Sequence, residues 1–328
     1  MEPGHLEEYR RQCQVILDHV ASVFVGNRPV LRKLLAAALA NSHVLFEDFP
    51  GLGKTLLAKA FGKAVGCGYT RIQFTPDLLP ADIIGTKIWR QSDGAFILAK
   101  GPVFTNVLLA DEINRAPPKT QSALLEAMEE RQVTIDGERH TLEQPFIVLA
   151  TQNPIEQEGT YPLPEAQMDR FALRLSTGYA SSTEEESLIL QRRIQWRQDD
   201  PSEDLPPVMT KEAFRALQQA VEREVYVDPA ILEYISMMVR GTRTHSKVEV
   251  GSSPRGGLAT LKVARANALI EGRDFVTPDD VKFIARNALA HRIILKVEEA
   301  LEGVKEEQII DEVINQVPVP KDVRARPR

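Results

Sequence analysis

Short apolar runs alternate with stretches of helical spacing in the first half of the chain. After about Thr177 only helical spacing remains. Tyr9, Cys13, Ile16, Leu17 and Val20 share one side of an amphipathic helix over about Leu6 to Phe24. Asn27 is placed to cap a second helix, with Pro29 in its first turn and Leu31, Leu34, Leu35 and Leu39 as its apolar face. The run His43 to Phe46 predicts a strand, and Leu56, Leu57, Ala60, Phe61 and Ala64 predict the helix after it. Tyr69 to Gln73 alternates like a strand, and Phe74 to Gly85, with Pro76 and Pro80, predicts a loop or short helix. Two hairpin signals follow. Lys87 to Gln91 and Ala95 to Leu98 flank Ser92-Asp93-Gly94; Gln132 to Ile135 and Glu138 to Leu142 flank Asp136-Gly137. Between them lie a strand, Val107 to Ala110, and a helix from about Lys119 to Arg131. Pro145 to Ala150 and Phe171 to Leu175 are the last predicted strands.

Helices then follow one another: Glu184 to Trp196, Lys211 to Val225, Pro229 to Arg240, Leu258 to Ile270 and Pro278 to Leu289. Thr277-Pro278-Asp279-Asp280 is a well-formed helix start, with a cap, Pro at the first position and an acid at the third. Strands alternating with helices predict a parallel α/β sheet, and the remainder predicts an all-α domain. The division expected is 1–178 for the α/β domain with two hairpin inserts, 179–320 for the helical domain and 321–328 for a disordered, basic tail.

Composition narrows the function. A net charge of -6 leaves no global basic footprint, which argues against a nucleic-acid partner. Two cysteines, Cys13 and Cys67, read as free thiols in a reduced compartment. The polar start Met1-Glu2-Pro3-Gly4-His5 shows no signal peptide, and the longest apolar run, Leu34 to Ala40, is too short to cross a bilayer. A cytoplasmic protein without a membrane segment is expected.

The chemistry centres on Phe46 to Thr55, a strand, a Gly-rich turn and a helix start. Gly51 and Gly53 allow successive N–H groups to point at one place, and the helix N-terminus adds its dipole. Pro50, Gly51, Leu52, Gly53, Lys54, Thr55 and Leu56 form the expected phosphate cradle, with Lys54 reaching the β- and γ-phosphates and the Thr55 hydroxyl on Mg²⁺. The pattern departs at one position: Asp48 stands where the first glycine belongs. A second apolar strand, Val107 to Ala110, ends in Asp111 and Glu112. Asp111 is expected to hold Mg²⁺ through water, and Glu112 to activate the attacking water. A third ends in Ala150-Thr151-Gln152-Asn153-Pro154, where Asn153 can orient the hydrolytic water or sense the γ-phosphate.

These stretches, together with the long run from Leu109 through Glu129, Leu163 to Phe171, Gly251 to Arg255 and Val317 to Pro320, closely resemble the MoxR family of AAA+ ATPases over roughly residues 6 to 320. The resemblance implies an α/β nucleotide domain, a helical lid, and rings, usually hexamers, with ATP between subunits. It makes Lys54 and Thr55 Walker A, Asp111 and Glu112 Walker B, and Asn153 sensor 1. It places Arg170 where related ring ATPases carry an arginine finger, Arg255 at sensor 2, and Val25 and Gly26 where backbone groups hold the adenine. Charge supports both arginines, since a fixed guanidinium stabilises the transferring phosphoryl. Arg115 is a further candidate across the interface. The hairpins resemble the family's two inserts, which line a pore or touch a client in the wider clade. His140 in the second hairpin reads as a solvated strand residue.

The function implied is Mg²⁺-dependent ATP hydrolysis that remodels or matures protein clients. In the family this is associated with metal-cofactor insertion and a partner bearing a von Willebrand factor A domain. That domain's Asp-x-Ser-x-Ser motif is absent here, so such a partner is a separate chain. Two alternatives remain: a nucleic-acid motor of the helicase-related clade, and a nucleotide-dependent scaffold.

Overall fold

The structure is a computed structural model that describes residues 3–92, 94–154, 159–197, 200–321 and 323. The strands of the first half are β1 (Val44–Glu47), β2 (Tyr69–Gln73), β3 (Gly85–Arg90), β4 (Ala95–Lys100), β5 (Val107–Asp111), β6 (Gln132–Ile135), β7 (Glu138–Thr141), β8 (Ile147–Gln152) and β9 (Leu173–Leu175). The helices among them are α1 (Pro3–Val23), α2 (Arg28–Leu39), α3 (Lys54–Ala64), α4 (Pro80–Ile84), α5 (Pro118–Glu130) and α6 (Glu165–Met168).

β2, β5, β8, β1 and β9 form one parallel sheet in that order. Its central strands β5, β8 and β1 are apolar up to their C-terminal residues because both faces are covered. Val44, Phe46, Leu109 and Leu149 join the core under α1, α2 and α3, whereas Leu45, Leu108, Val148 and Ala150 join the core under α5. Parallel strands all end at the same edge, so the segments after β1, β5 and β8, three adjacent strands, are brought side by side.

The two hairpins leave this sheet. β3 pairs with β4, and β6 with β7. The second turns on Asp136 (φ 49°) and Gly137 (φ 81°), the paired positive φ values that a two-residue hairpin turn requires. Lys87 of the first hairpin meets Glu138 of the second at 2.6 Å. Trp89 and Phe96 pack edge to face near the first hairpin's end, and both are exposed.

The second half comprises α7 (Thr183–Trp196), α8 (Lys211–Glu224), α9 (Pro229–Thr244), α10 (Pro254–Ile270), α11 (Pro278–Leu289), α12 (Val297–Leu301) and α13 (Glu306–Gln316). α8 to α11 and α13 share a core with α1, α2 and α3. Several expectations are corrected. The lid is not free of strands: β10 (Val248–Val250) and β11 (Ile294–Leu295) form a small antiparallel pair. α10 begins at Pro254 rather than Leu258, because Ser253 caps it. Asn27 precedes α2 with an extended backbone, but its side chain makes no capping bond. The helix at Thr277 starts as expected, with a reciprocal bond between Thr277 and Asp280. The expected tail at 321–328 lies outside the described residues apart from 321 and 323, and Asp93 and Asp199 also lie outside them. No helix of the described residues is long and apolar enough to cross a membrane.

Candidate functional site

The loop after β1 turns twice through backbone that favours glycine. Gly51 has φ 82°, and Gly53, at φ 73°, is the N-cap of α3. A glycine has no side chain to cap a helix, and none caps α3. The residues of its first turn, Lys54, Thr55 and Leu56, line the cavity beside the loop, and an uncapped helix N-terminus suits an anion. A Cβ at Gly53 would meet the Phe24 ring at 3.1 Å, so Phe24 backs the loop from the chain's N-terminal side. Lys54 curls over the same loop, its Nζ donating to the Phe49 carbonyl at 2.6 Å and the Asp48 carbonyl at 3.2 Å. Burial pulls the Lys54 pKa down, while Asp48, Asp111 and Glu112 oppose that shift.

The acids sit beside this loop. One hydroxyl fixes both: Thr151 on β8 donates to the Asp111 carboxylate at 2.6 Å and accepts the Glu112 N–H at 2.7 Å. The other Asp111 oxygen accepts from Arg71 on β2 at 2.6 Å. Glu112 takes the left-handed conformation (φ 55°), which turns the chain off the strand end. Its carboxylate accepts from Gln73 at 2.6 Å and pairs with Arg115 at 3.0 Å. In this fold Arg115 is thus engaged with its own chain's Glu112.

These groups enclose a cavity of about 500 Å³, the size of a cofactor site. Its walls are the loop from Pro50 to Leu56 with Asp48, then Asp111 and Glu112, then Thr151 to Asn153, with Arg71 and Asp200. The side-chain oxygen of Gln152 is buried there without a partner among the described residues. Uncapped donors, an ammonium and oxygen ligands fit a nucleotide phosphate with a hard cation. Thr55 and Asp111 are the oxygen donors that would hold Mg²⁺. Among the described residues no group of three or more His, Cys, Asp or Glu forms a metal cage, and Mg²⁺ needs only one or two carboxylates plus phosphates.

The structure brings Pro50 to Leu56, Asp111, Glu112 and Asn153 together. It does not bring Val25, Gly26, Arg170 or Arg255 into the cavity wall. Val25 and Gly26 follow Phe24 and approach the loop through its ring. Arg170 and Arg255 meet elsewhere, on α5: Arg170 pairs with Glu129 at 3.0 Å and Arg255 with its other oxygen at 2.5 Å. A separate pocket holds both arginines, Glu129 and Lys262. Asp169 does not pair with Arg170. It is held by Arg292 of the lid at 2.6 Å, and Arg292 also donates to the carbonyls of Asp169, Phe171 and Ala172. Arg255 therefore does not line its own chain's cavity. Its place at the start of α10 is as expected, but α10 packs against α2 and α11, away from the P-loop. Sequence reasoning also missed Phe24, Arg71, Gln73 and Asp200, whose positions depend on strand register and on the lid linker.

Known proteins match along most of the chain. Residues 43–173 match the ATPase family associated with various cellular activities (AAA), and residues 240–313 match the AAA lid domain. The chain is 49% identical to the uncharacterized protein YeaC of Bacillus subtilis, over 93% of each chain. It is 41% identical to chaperone MoxR1 of Mycobacterium tuberculosis, over 97% of this chain and 86% of that one. A crystal structure of a protein assigned as an ATPase, from Cytophaga hutchinsonii, superposes with a TM-score of 0.89 at 40% identity, covering 96% of this chain and 97% of that chain.

Proposed function

The chain belongs to the MoxR family of AAA+ ATPases, and from that premise we propose that it hydrolyses ATP with Mg²⁺ in a ring whose subunits share each site. One observation carries the reading: three adjacent parallel strands deliver the phosphate loop, the Asp111–Glu112 pair and Asn153 to one cavity. Lys54 and the α3 N-terminus bind the phosphates. Bound Mg²⁺ would neutralise charge on the β- and γ-oxygens. Glu112 accepts the proton of the attacking water, with Asn153 orienting that water. Gln73 and Arg115 hold the Glu112 carboxylate until nucleotide engages it.

The two arginines expected to add positive charge at the transferred phosphoryl, Arg170 and Arg255, are absent from the wall of the chain's own cavity. Arg170 and Arg255 share one acid, Glu129, at a different face. We assign both to the cavity of the neighbouring subunit, in a ring that is usually a hexamer in this family. α7 supports assembly, since it buries no residue and exposes Leu188, Ile189, Leu190 and Ile194. The work done is chaperone-like remodelling or maturation of a protein client, with metal-cofactor insertion and a separate von Willebrand factor A domain protein as the partner class. The exposed Trp89 and Phe96 of the first hairpin suit a client contact. Residues 1–178 act as the nucleotide domain and 179–320 as the lid. Two free buried cysteines accord with a cytoplasmic location.

Steady-state ATPase assays test the reading. Wild type turns over ATP; Lys54→Ala loses binding, and Glu112→Gln binds ATP but loses at least about a hundredfold in kcat, as removal of a general base does. Turnover equal to wild type in both variants would overturn it.

A further inference from the structure

Asp48 is the one departure from the phosphate-loop pattern, and the backbone does not explain it as a tolerated glycine site. Positive φ falls at Gly51 and Gly53, not at 48. The side chain is buried, at 5% exposure, and its carboxylate is fully engaged. One oxygen accepts from the Ser176 hydroxyl at 2.6 Å. The other accepts from the Thr177 N–H at 2.5 Å and the Thr177 hydroxyl at 2.8 Å. The Thr177 hydroxyl also lies 3.3 Å from the carbonyl of Leu52, in the middle of the loop. Beside them the rings of Phe49 and Tyr179 stack at 6.0 Å.

The position of these contacts matters. Main-chain pairing of β1 with β9 stops at Phe46 and Leu175. Asp48 continues that connection by side chain, at the point where β1 becomes the phosphate loop. Ser176 to Ser182 is the segment that joins β9 to α7, the first helix after the sheet. A carboxylate accepting from a backbone N–H and two hydroxyls makes a strong, directional tie.

We propose that Asp48 is a positioning residue for nucleotide: acting through Thr177, it fixes the entry of the phosphate loop and couples that loop to the segment leading into the lid. Glycine at 48 would bind phosphate through the same backbone but would leave the linker untied. The proposal rests on the reading of the cavity as an ATP site.

The test compares Asp48→Gly, which restores the consensus glycine, with Asp48→Asn. An asparagine keeps the geometry: its carbonyl oxygen accepts from Thr177, and its amide donates to the Ser176 hydroxyl. Equilibrium binding of ADP and native-state hydrogen exchange are read on the full chain. Asp48→Gly weakens ADP by at least about tenfold, and Asp48→Asn restores the affinity to within about threefold of wild type. In wild type and Asp48→Asn, ADP slows amide exchange across residues 176–182; in Asp48→Gly it does not, even at saturation. A role in folding alone would lower the melting temperature without removing that ADP response. The pair Ser176→Ala with Thr177→Val removes both hydroxyl donors, leaves the loop sequence intact and weakens ADP by about threefold or more. Asp48→Gly that binds ADP and protects the linker like wild type overturns the coupling alone, as does unchanged binding in the hydroxyl pair. Wild type that binds no nucleotide overturns both this proposal and the ATP reading.

Discussion

Removing Arg292 should unfasten the lid from the turn that carries Arg170. The Arg292 side chain is 3% exposed and pairs with Asp169, itself 18% exposed, at 2.6 Å. Burial pulls its pKa below the usual arginine range, while Asp169 opposes that shift. Arg292→Met fills similar space but leaves the Asp169 carboxylate and the carbonyls of Asp169, Phe171 and Ala172 without that donor. Breaking a buried pair from one side costs about 3–5 kcal/mol. With an unfolding entropy of about 2.1 cal/mol/K per residue, 328 residues give roughly 0.7 kcal/mol/K, so the melting temperature falls by about 4–7 °C. Scanning calorimetry measures this for Arg292→Met, Asp169→Asn and the double variant. The double variant should recover part of the loss, with a coupling of at least about 1 kcal/mol, because neither partner is then left buried alone. ATP turnover should fall in the same variants, since Arg170 adjoins Asp169 in the chain. A fall under about 1 °C in Arg292→Met, or an additive cycle, would refute the reasoning.

Two further predictions follow from buried titratable groups. His43 and His291 are held uncharged, their pKa values well below the ordinary one, chiefly through burial and then through Arg131 and Arg292 respectively. A depressed folded pKa gives stability that is complete above the unfolded value of about 6.5 and is lost as pH falls below it, by up to about 1.4 kcal/mol per histidine per pH unit. The melting temperature should therefore drop from about pH 7 to about pH 5, and more gently in His291→Phe; an equal slope in that variant contradicts the assignment. Burial pushes both Cys13 and Cys67 up to about 12. Native protein at about pH 8 should resist iodoacetamide, because the thiolate is the reactive form, and denatured protein should gain two adducts by intact mass. Rapid alkylation of the native chain would contradict this.

The parts of the site that come from contiguous chain were legible. A glycine-rich turn between an apolar strand and a helical face has one main physical use, and Asp111 and Glu112 at a strand end share its sheet edge once the strands are parallel. Groups set by packing were not. Arg255 sits at the start of a lid helix as expected, but where it points depends on how α10 packs. Asp48 looked like a defect because its partners, Ser176 and Thr177, lie more than a hundred residues away in sequence. β10 and β11 are too short to show a period. α13, by contrast, carries Ile309, Ile310 and Val313 at helical spacing, a signal the chain does contain.

The central claim is that each ATP site is built from two subunits. Mixing two inactive proteins tests it most directly. Glu112→Gln keeps Arg170 and Arg255 but cannot activate water, whereas Arg170→Ala/Arg255→Ala keeps an intact cavity but has no guanidinium to offer. In randomly mixed rings with head-to-tail interfaces, about a quarter of the sites pair an intact cavity with intact arginines. The account predicts that the mixture regains about that fraction of wild-type ATP turnover. A mixture as inactive as its two components would contradict it.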